Sequence, residues 1–490
     1  MDGSSNLIIA PNFNGVPNLK ELVLARCSNL RKLHPSVGKL KKLKLLDLDG
    51  CPKLTSLPDK FEMESLVTLN LSDCLNVKKI PELAENMRHL RELVLRGTAI
   101  TELPSSVECL TGLHTLMLGD CKNLVCLPNT ICSLTSLSYI GLRSCSKFDK
   151  LPEDLGNITS LKWLVLTETA IKELPSSVEF LNELISLSLQ DCKNFVRLPG
   201  TICSLKRLTT IPLCGCSKFD KLPEDLGNIT HLVDLNLGET AIKELPSSVE
   251  FLIYLTKLYL NDCKNLVYLP STICNLKRLN HLDLTGCSKF ANLPENLGST
   301  TMSTSLRMLL LGGTAIKELP SSTIRIKWLE RVSFKGCQLS SSSLTSMPRC
   351  CRIDLSDCNL SAIPIGIDRI SMTRCFNLFL RGNDFVSLPE SISQFSELRS
   401  IFLDGCKSLR SLSNIQIPST VCLLPVNNCT SLERLPELPC RGYDLTVQCF
   451  NCFKLASSIQ NLSNMFQVSL SLISVCFLNI TYLRNYANIL

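Results

Sequence analysis

The chain repeats one short frame, Leu-x-x-Leu-x-Leu-x-x-Cys/Thr/Asn, eighteen times between residues 19 and 429. The first copy is Leu19, Leu22, Leu24 and Cys27, and most later copies follow at steps of 23 or 24 residues. The alternation at Leu22-x-Leu24 has period two, so both leucines lie on one side of a short strand. A single repeat cannot bury that side alone, so neighbouring repeats have to stack. The sequence therefore predicts one long array in place of the three domains that 490 residues would otherwise suggest.

This frame and this period are typical of leucine-rich repeats. The predicted fold class is α/β, a leucine-rich-repeat solenoid (horseshoe) of about 18 repeats with a parallel β-sheet on its concave face. The second half of each repeat is expected on the convex face as short helices, 3₁₀ turns and loops. Prolines there block regular strand pairing, as at Pro104, Pro175, Pro246 and Pro320.

Three segments are predicted. Residues 1–18 are interpreted as the remnant of a preceding repeat, residues 19–440 as the solenoid, and residues 441–490 as a truncated, irregular post-repeat segment. The apolar stretch Val468–Leu483 is shorter than the roughly 20 residues that span a bilayer and contains several polar residues, so a buried or irregular tail is favoured over a membrane helix.

The 27 cysteines could indicate disulfides, a metal site or buried thiols. Many occupy the last position of the frame, where the chain leaves the strand and backbone groups need partners. Stacked, identically oriented thiols do not suit disulfide geometry, so a buried structural ladder of reduced thiols is predicted, which implies the cytosol or the nucleus. The ladder consists of Cys27, Cys51, Cys74, Thr98, Cys121, Cys145, Thr169, Cys192, Cys216, Thr240, Cys263, Cys287, Thr314, Cys337, Cys358, Asn383, Cys406 and Cys429.

The sequence gives little support for catalysis or metal binding. Cys449-Phe-Asn-Cys452 has metal-ligand spacing, but no second Cys-x-x-Cys exists and no histidine follows His281. The five histidines are scattered and form no nucleophilic arrangement. We therefore expect no enzyme activity, no metal and no cofactor.

The residues between the frame leucines should form the exposed concave face. Aromatic and arginine side chains are the usual anchors of protein interfaces, which makes this face the candidate site for a protein partner. The alternative is that some phenylalanines pack against neighbours in the less regular repeats. The candidate binding residues are Tyr139, Arg143, Trp163, Tyr259, Arg307, Arg331, Arg352, Phe376, Phe379, Arg381, Arg399 and Phe402.

The position just before the ladder contains seven acids and eight glycines in eighteen copies. Asp and Gly both favour turns, so turn chemistry is favoured over an acidic rim that would orient a partner. The net charge of +7 is spread along the chain without long basic runs. That distribution gives no reason to predict nucleic-acid binding.

Several motifs resemble the leucine-rich-repeat region of plant TIR-type nucleotide-binding (TIR-NB-LRR) disease resistance proteins. The opening Asn6–Leu22 with Leu33–Gly38 is similar to the start of that region. Later segments of the same proteins are resembled by the blocks Asp120–Val125 and Asp262–Val267. The junction that follows the repeats in that family is resembled by Asn428–Pro436 with Phe450–Leu455.

The resemblance implies a module that senses a pathogen effector or a modified host protein and restrains signalling domains. It also implies TIR and nucleotide-binding domains upstream, whereas this chain contains no Gly-x-x-x-x-Gly-Lys-Ser/Thr phosphate loop. We therefore expect a recognition part without nucleotide chemistry. The alternatives are a generic scaffold that binds a host protein and a receptor fragment without independent function.

Overall fold

The computed structural model describes residues 1–298, 305–340, 350–361, 375–388, 390–436 and 445–457. The chain divides into two compact units, Met1–Lys257 and Leu258–Leu490. In both units the repeats contribute strands that are mostly three residues long, at the x-Leu-x part of the frame.

The first unit contains twelve strands, two of which (β3 and β5) form a separate two-stranded sheet. They are β1 (Glu21–Val23), β2 (Leu45–Asp47), β3 (Lys60–Phe61), β4 (Thr68–Asn70), β5 (Glu82–Leu83), β6 (Glu92–Val94), β7 (Thr115–Met117), β8 (Tyr139–Gly141), β9 (Trp163–Val165), β10 (Ser186–Ser188), β11 (Thr210–Pro212) and β12 (Asp234–Asn236).

The unit boundary falls within β13 (Lys257–Tyr259). The strands described after it are β14 (His281–Asp283), β15 (Met308–Leu310), β16 (Arg331–Ser333), β17 (Arg352–Asp354), β18 (Asn377–Phe379), β19 (Ser400–Phe402), β20 (Leu423–Pro425) and β21 (Thr446–Gln448).

Strands of successive repeats pair in parallel and without a shift in register. In the first unit Leu22 pairs with Leu46, and in the second Leu309 pairs with Val332. Within each unit the frame leucines consequently form columns, and their side chains are buried while the strand residues on either side are wholly or partly accessible in most repeats. The parallel sheet and the leucine-rich-repeat fold predicted from the frame are confirmed.

The core has a second column three residues after the ladder position. Leu30 and Leu54 occupy it in early repeats, and Phe148, Phe195 and Phe219 occupy it later, all without solvent exposure. The rings of Phe195 and Phe219 stack at a centroid distance of 5.9 Å. Each such ring buries a large apolar area, and truncating one to alanine typically costs about 3–5 kcal/mol.

The second half of most repeats forms a 3₁₀ helix, as the prolines predicted. A proline stands immediately before many of these helices with ψ near 140–150°, for example Pro104 and Pro175. Its fixed φ suits this entry and its missing N–H needs no partner. The helices are Pro35–Lys39, Ser105–Cys109, Asn129–Ser133, Leu155–Asn157, Ser176–Phe180, Gly200–Ser204, Leu226–Asn228, Ser247–Phe251, Ser271–Asn275, Ser321–Arg325 and Glu390–Gln394.

The array extends beyond residue 440, so the prediction of an irregular segment from 441 is wrong for residues 445–457. There β21 pairs in parallel with β20. Cys452 occupies the ladder position, and its Sγ donates to the Val426 carbonyl at 3.0 Å, as other ladder cysteines do to theirs. A short α-helix, Phe453–Ser457, follows. The apolar stretch Val468–Leu483 lies outside the described residues. Within them, no helix combines the length and the apolar character that crossing a bilayer requires.

Candidate protein-binding surface

The ladder cysteines are buried and hydrogen-bonded to the backbone. Cys145 donates from Sγ to the carbonyl of Leu118 in the preceding repeat at 3.0 Å, and Cys216 donates to that of Leu189 at 3.0 Å. Threonine in the same column bonds differently, because Thr98 Oγ1 donates to the carbonyl of Leu95 in its own repeat at 2.8 Å. Both kinds of ladder residue therefore donate to a carbonyl at the end of a strand.

Buried ladder thiols are unreactive because they stay protonated. Burial raises the pKa of Cys145 and of Cys216 to about 12, which keeps the thiols protonated. A nucleophilic or metal-binding cysteine needs the thiolate. All 25 cysteines in the described part of the chain are free. In those same residues, no group of three or more His, Cys, Asp or Glu side chains is placed to hold a metal ion.

The position before the ladder is a left-handed turn in all eighteen copies. Asp120 has φ 61°, Glu168 has φ 60° and Gly336 has φ 74°. Asp and Gly tolerate this conformation better than most residues do. This conformation accounts for the glycines and aspartates at the position, and some of the acids also pair with neighbouring bases, as Asp120 does with Arg96 at 3.0 Å.

In the first unit, the predicted binding residues Tyr139 and Trp163 lie side by side. They pair in register at the start of β8 and β9, on the side of the sheet away from the leucines. The Trp163 side chain is exposed at 41%. Arg143 is exposed nearby and forms an ion pair with Glu168 at 3.7 Å.

In the second unit, three predicted residues form an aromatic platform, defined here as Phe379, Phe402 and Arg381. The two rings stack at 4.4 Å with an interplanar angle of 7°. The Arg381 guanidinium lies 4.8 Å from the Phe402 ring centroid and is oriented by Asp404, whose carboxylate accepts from Nε at 2.9 Å. Both rings keep partial solvent access. Tyr259, also predicted, lies elsewhere in this unit against His281, with ring centroids 4.8 Å apart.

The other five predicted residues line one open pocket of about 870 Å³ at the beginning of β15 to β19. This basic pocket also includes Lys327 and Trp328, which lie before the frame of their repeat, and Glu330, which lies between two frame positions but is neither aromatic nor basic. Its remaining lining residues are Met308, Leu329, Cys350, Cys351 and Asn377, and the five predicted ones are Arg307, Arg331, Arg352, Phe376 and Arg399.

Two of the cations in the pocket lie on aromatic faces. The Arg399 guanidinium is 5.4 Å from the ring centroid of Phe376, and that of Arg307 is 5.9 Å from the ring of Trp328. Such stacking leaves the guanidinium edges free to donate hydrogen bonds. Exposed arginine beside tryptophan and phenylalanine is the composition of interface hot spots.

Comparisons with known proteins agree with the fold. A family model described as a leucine-rich repeat region matches residues 61–161 and 129–220. The crystal structure of a TLR13–ssRNA13 complex matches with a TM-score of 0.65 at 19% identity, covering 95% of this chain and 69% of that one. The leucine-rich-repeat protein LIC12759 of Leptospira interrogans matches with a TM-score of 0.55 at 24% identity, covering 82% and 91% of the two chains.

Sequence relatives are plant disease resistance proteins. TMV resistance protein N of Nicotiana glutinosa is 36% identical over 291 residues, which are 59% of this chain and 25% of that protein. Disease resistance protein RPS6 of Arabidopsis thaliana is 32% identical over 300 residues, 61% of this chain and 24% of that protein. The chain thus spans about a quarter of the length of these relatives. Its repeats are similar to the leucine-rich-repeat region of plant disease resistance proteins.

Proposed function

We propose that this chain, a leucine-rich-repeat array similar to the repeat region of plant disease resistance proteins, is the recognition module of an intracellular plant immune receptor. In this proposal it binds a pathogen effector or a modified host protein through the exposed face of its strands. In a full-length receptor it would also restrain TIR and nucleotide-binding domains until that protein arrives.

The aromatic platform is the observation that carries the proposal. The stacked pair of phenylalanines stabilises the pairing of β18 with β19, but both rings remain partly open to solvent and an arginine lies over both of them. At an interface the same group supplies a large rigid apolar area and a charged donor, and such residues dominate binding energies. Free, buried thiols in the ladder support a reducing compartment, the cytoplasm or the nucleus.

Co-precipitation from pathogen-challenged and unchallenged plant tissue tests the recognition half. The double variant Phe379→Ala/Phe402→Ala should lose a protein that the wild-type chain retains from challenged tissue, because loss of two hot-spot rings weakens binding by about 30-fold or more. Phe180→Ala is the matched control, since that ring is exposed at 55% but lies on a 3₁₀ helix. Equal retention by the double variant, or no difference between the tissues, would contradict the proposal.

Restraint of signalling domains requires that the same gene encodes those domains. A transcript whose reading frame continues upstream into TIR and nucleotide-binding domains is expected. A transcript whose reading frame starts at Met1 would contradict the proposed restraint of signalling domains, and only the proposed recognition of a protein would remain.

A further inference from the structure

The basic pocket carries more positive charge than its own residues neutralise. Five cations, Arg307, Lys327, Arg331, Arg352 and Arg399, line it together with a single carboxylate, that of Glu330. Glu330 forms an ion pair with Arg307 at 3.4 Å. Among the residues that the structure describes, no carboxylate forms an ion pair with the other four cations.

Two of the unneutralised arginines are direct neighbours. Arg331 and Arg352 occupy paired positions of β16 and β17 and are both exposed. Like charges at directly paired positions of neighbouring strands repel each other and so destabilise the sheet. Their arrangement is therefore a cost to the free protein that an anionic ligand would offset.

The cations are spread along a row. Arg307 precedes β15 and Arg399 precedes β19, and the pocket follows the strand starts between them. Neighbouring strands lie about 4.8 Å apart, so the row is about 19 Å long. An extended peptide of six residues has about the same length, with side chains of one face about 7 Å apart. A single phosphate or carboxylate group would engage only one end.

We propose that the basic pocket binds an extended acidic segment of the partner protein, an inference that rests on the proposed function. Alternate carboxylates of the segment accept hydrogen bonds from the guanidinium groups. Trp328 and Phe376 hold two of these guanidinium groups by cation–π contact. The Glu330 carboxylate repels the anionic groups of either ligand, but a peptide backbone offers N–H donors to this carboxylate whereas a phosphodiester backbone offers none, so a nucleic-acid backbone fits less well.

Tryptophan fluorescence provides the assay. The chain has two tryptophans, so Trp163→Phe leaves Trp328 in the pocket as the only reporter. Titration with hexaglutamate at about 50 mM NaCl should change the Trp328 emission saturably, and the affinity should fall as salt is raised because the contacts are ionic. Hexalysine should produce no saturable change.

Arg331→Gln/Arg352→Gln in this background should weaken hexaglutamate binding by about tenfold or more, since two charge-assisted donors are lost. The matched control is Arg410→Ala/Arg434→Ala, which removes two exposed charges outside the pocket and should leave binding within about twofold, as expected for distant sites. The thermal midpoint of the pocket variant should equal or exceed that of the parent, because a like-charge contact is removed.

Three results would overturn the inference. They are no saturable response to hexaglutamate, equal weakening by both double variants, and tighter binding of single-stranded DNA than of hexaglutamate. The proposed function can survive such a failure. If a partner is lost with Phe379→Ala/Phe402→Ala but retained with Arg331→Gln/Arg352→Gln, the proposed recognition function stands and the acidic-segment inference is rejected.

Discussion

Replacement of one ladder thiol tests the physical basis of the array. Cys145 is fully buried, and its Sγ donates to the Leu118 carbonyl at 3.0 Å. That carbonyl keeps a second donor, the Cys121 N–H at 3.2 Å, so Cys145→Ala does not leave it without a partner. The expected cost is therefore the lost hydrogen bond plus the buried sulfur, together about 2 kcal/mol.

Threonine at the same position should be tolerated. Thr98 and Thr240 show that a threonine here donates from Oγ1 to the carbonyl three residues earlier, at 2.8 and 2.6 Å. Cys145→Thr should therefore cost less than about 1 kcal/mol. Cys126→Ala is the control, because that cysteine is exposed, and it should be within about 0.5 kcal/mol of wild type.

Native-state hydrogen exchange in reducing buffer measures these costs locally, which suits a long array that need not unfold in one step. The amide of Leu142, which donates to the Val165 carbonyl at 2.8 Å, reports on the repeat concerned. Equal costs for alanine and threonine, or no cost for alanine, would refute the view that the ladder works through hydrogen bonding and burial.

The remaining predictions concern pH, backbone strain and thiol access. Burial raises the pKa of Cys145 to about 12, so the folded state keeps a proton that the unfolded thiol releases above about pH 8.5. The contribution of this thiol to stability should therefore be constant below that pH and fall as pH rises toward 12. Thermal midpoints should consequently fall less steeply over this range in Cys145→Thr than in wild type. Gly336→Ala should cost about 1–2 kcal/mol in denaturant unfolding because φ is 74° at this position, although no heavy atom would lie closer than 3.9 Å to the added methyl. Gly200→Ala is the control and should be neutral or stabilising, because Gly200 has open space around it and no positive φ. Equal effects of the two substitutions would show that the positive φ is not the cause. A thiol reagent should modify the exposed Cys126 and Cys422 quickly in the native protein, and replacing both with serine should remove two equivalents from the fast phase; an unchanged fast phase would contradict the assigned exposures.

The sequence predicts the repeated features well because a short-range rule specifies each one. The period-two leucines place the strands at the x-Leu-x positions, Pro104 and its equivalents mark the 3₁₀ helices, and the acid or glycine before the ladder marks a left-handed turn. None of these features depends on how distant side chains meet.

Features that depend on contacts between repeats were predicted less well. The last repeat was missed because Val447 and Cys449 replace the usual leucines of the frame, yet both are buried like leucines. The basic pocket was predicted only as a group of charges on one face. Lys327 and Trp328 complete it from the segment before β16, and the frame contains no information on where that segment passes.

Site-specific photocrosslinking tests the central claim, recognition of a protein by the exposed face of the strands, most directly. Benzoylphenylalanine placed at Phe402 in the aromatic platform, or at Phe180 on its 3₁₀ helix, would be irradiated in extracts of challenged and unchallenged tissue. The account predicts a covalent adduct with a protein of challenged tissue from position 402 and none from position 180. Adducts of the same protein from both positions, or from position 180 alone, would contradict it.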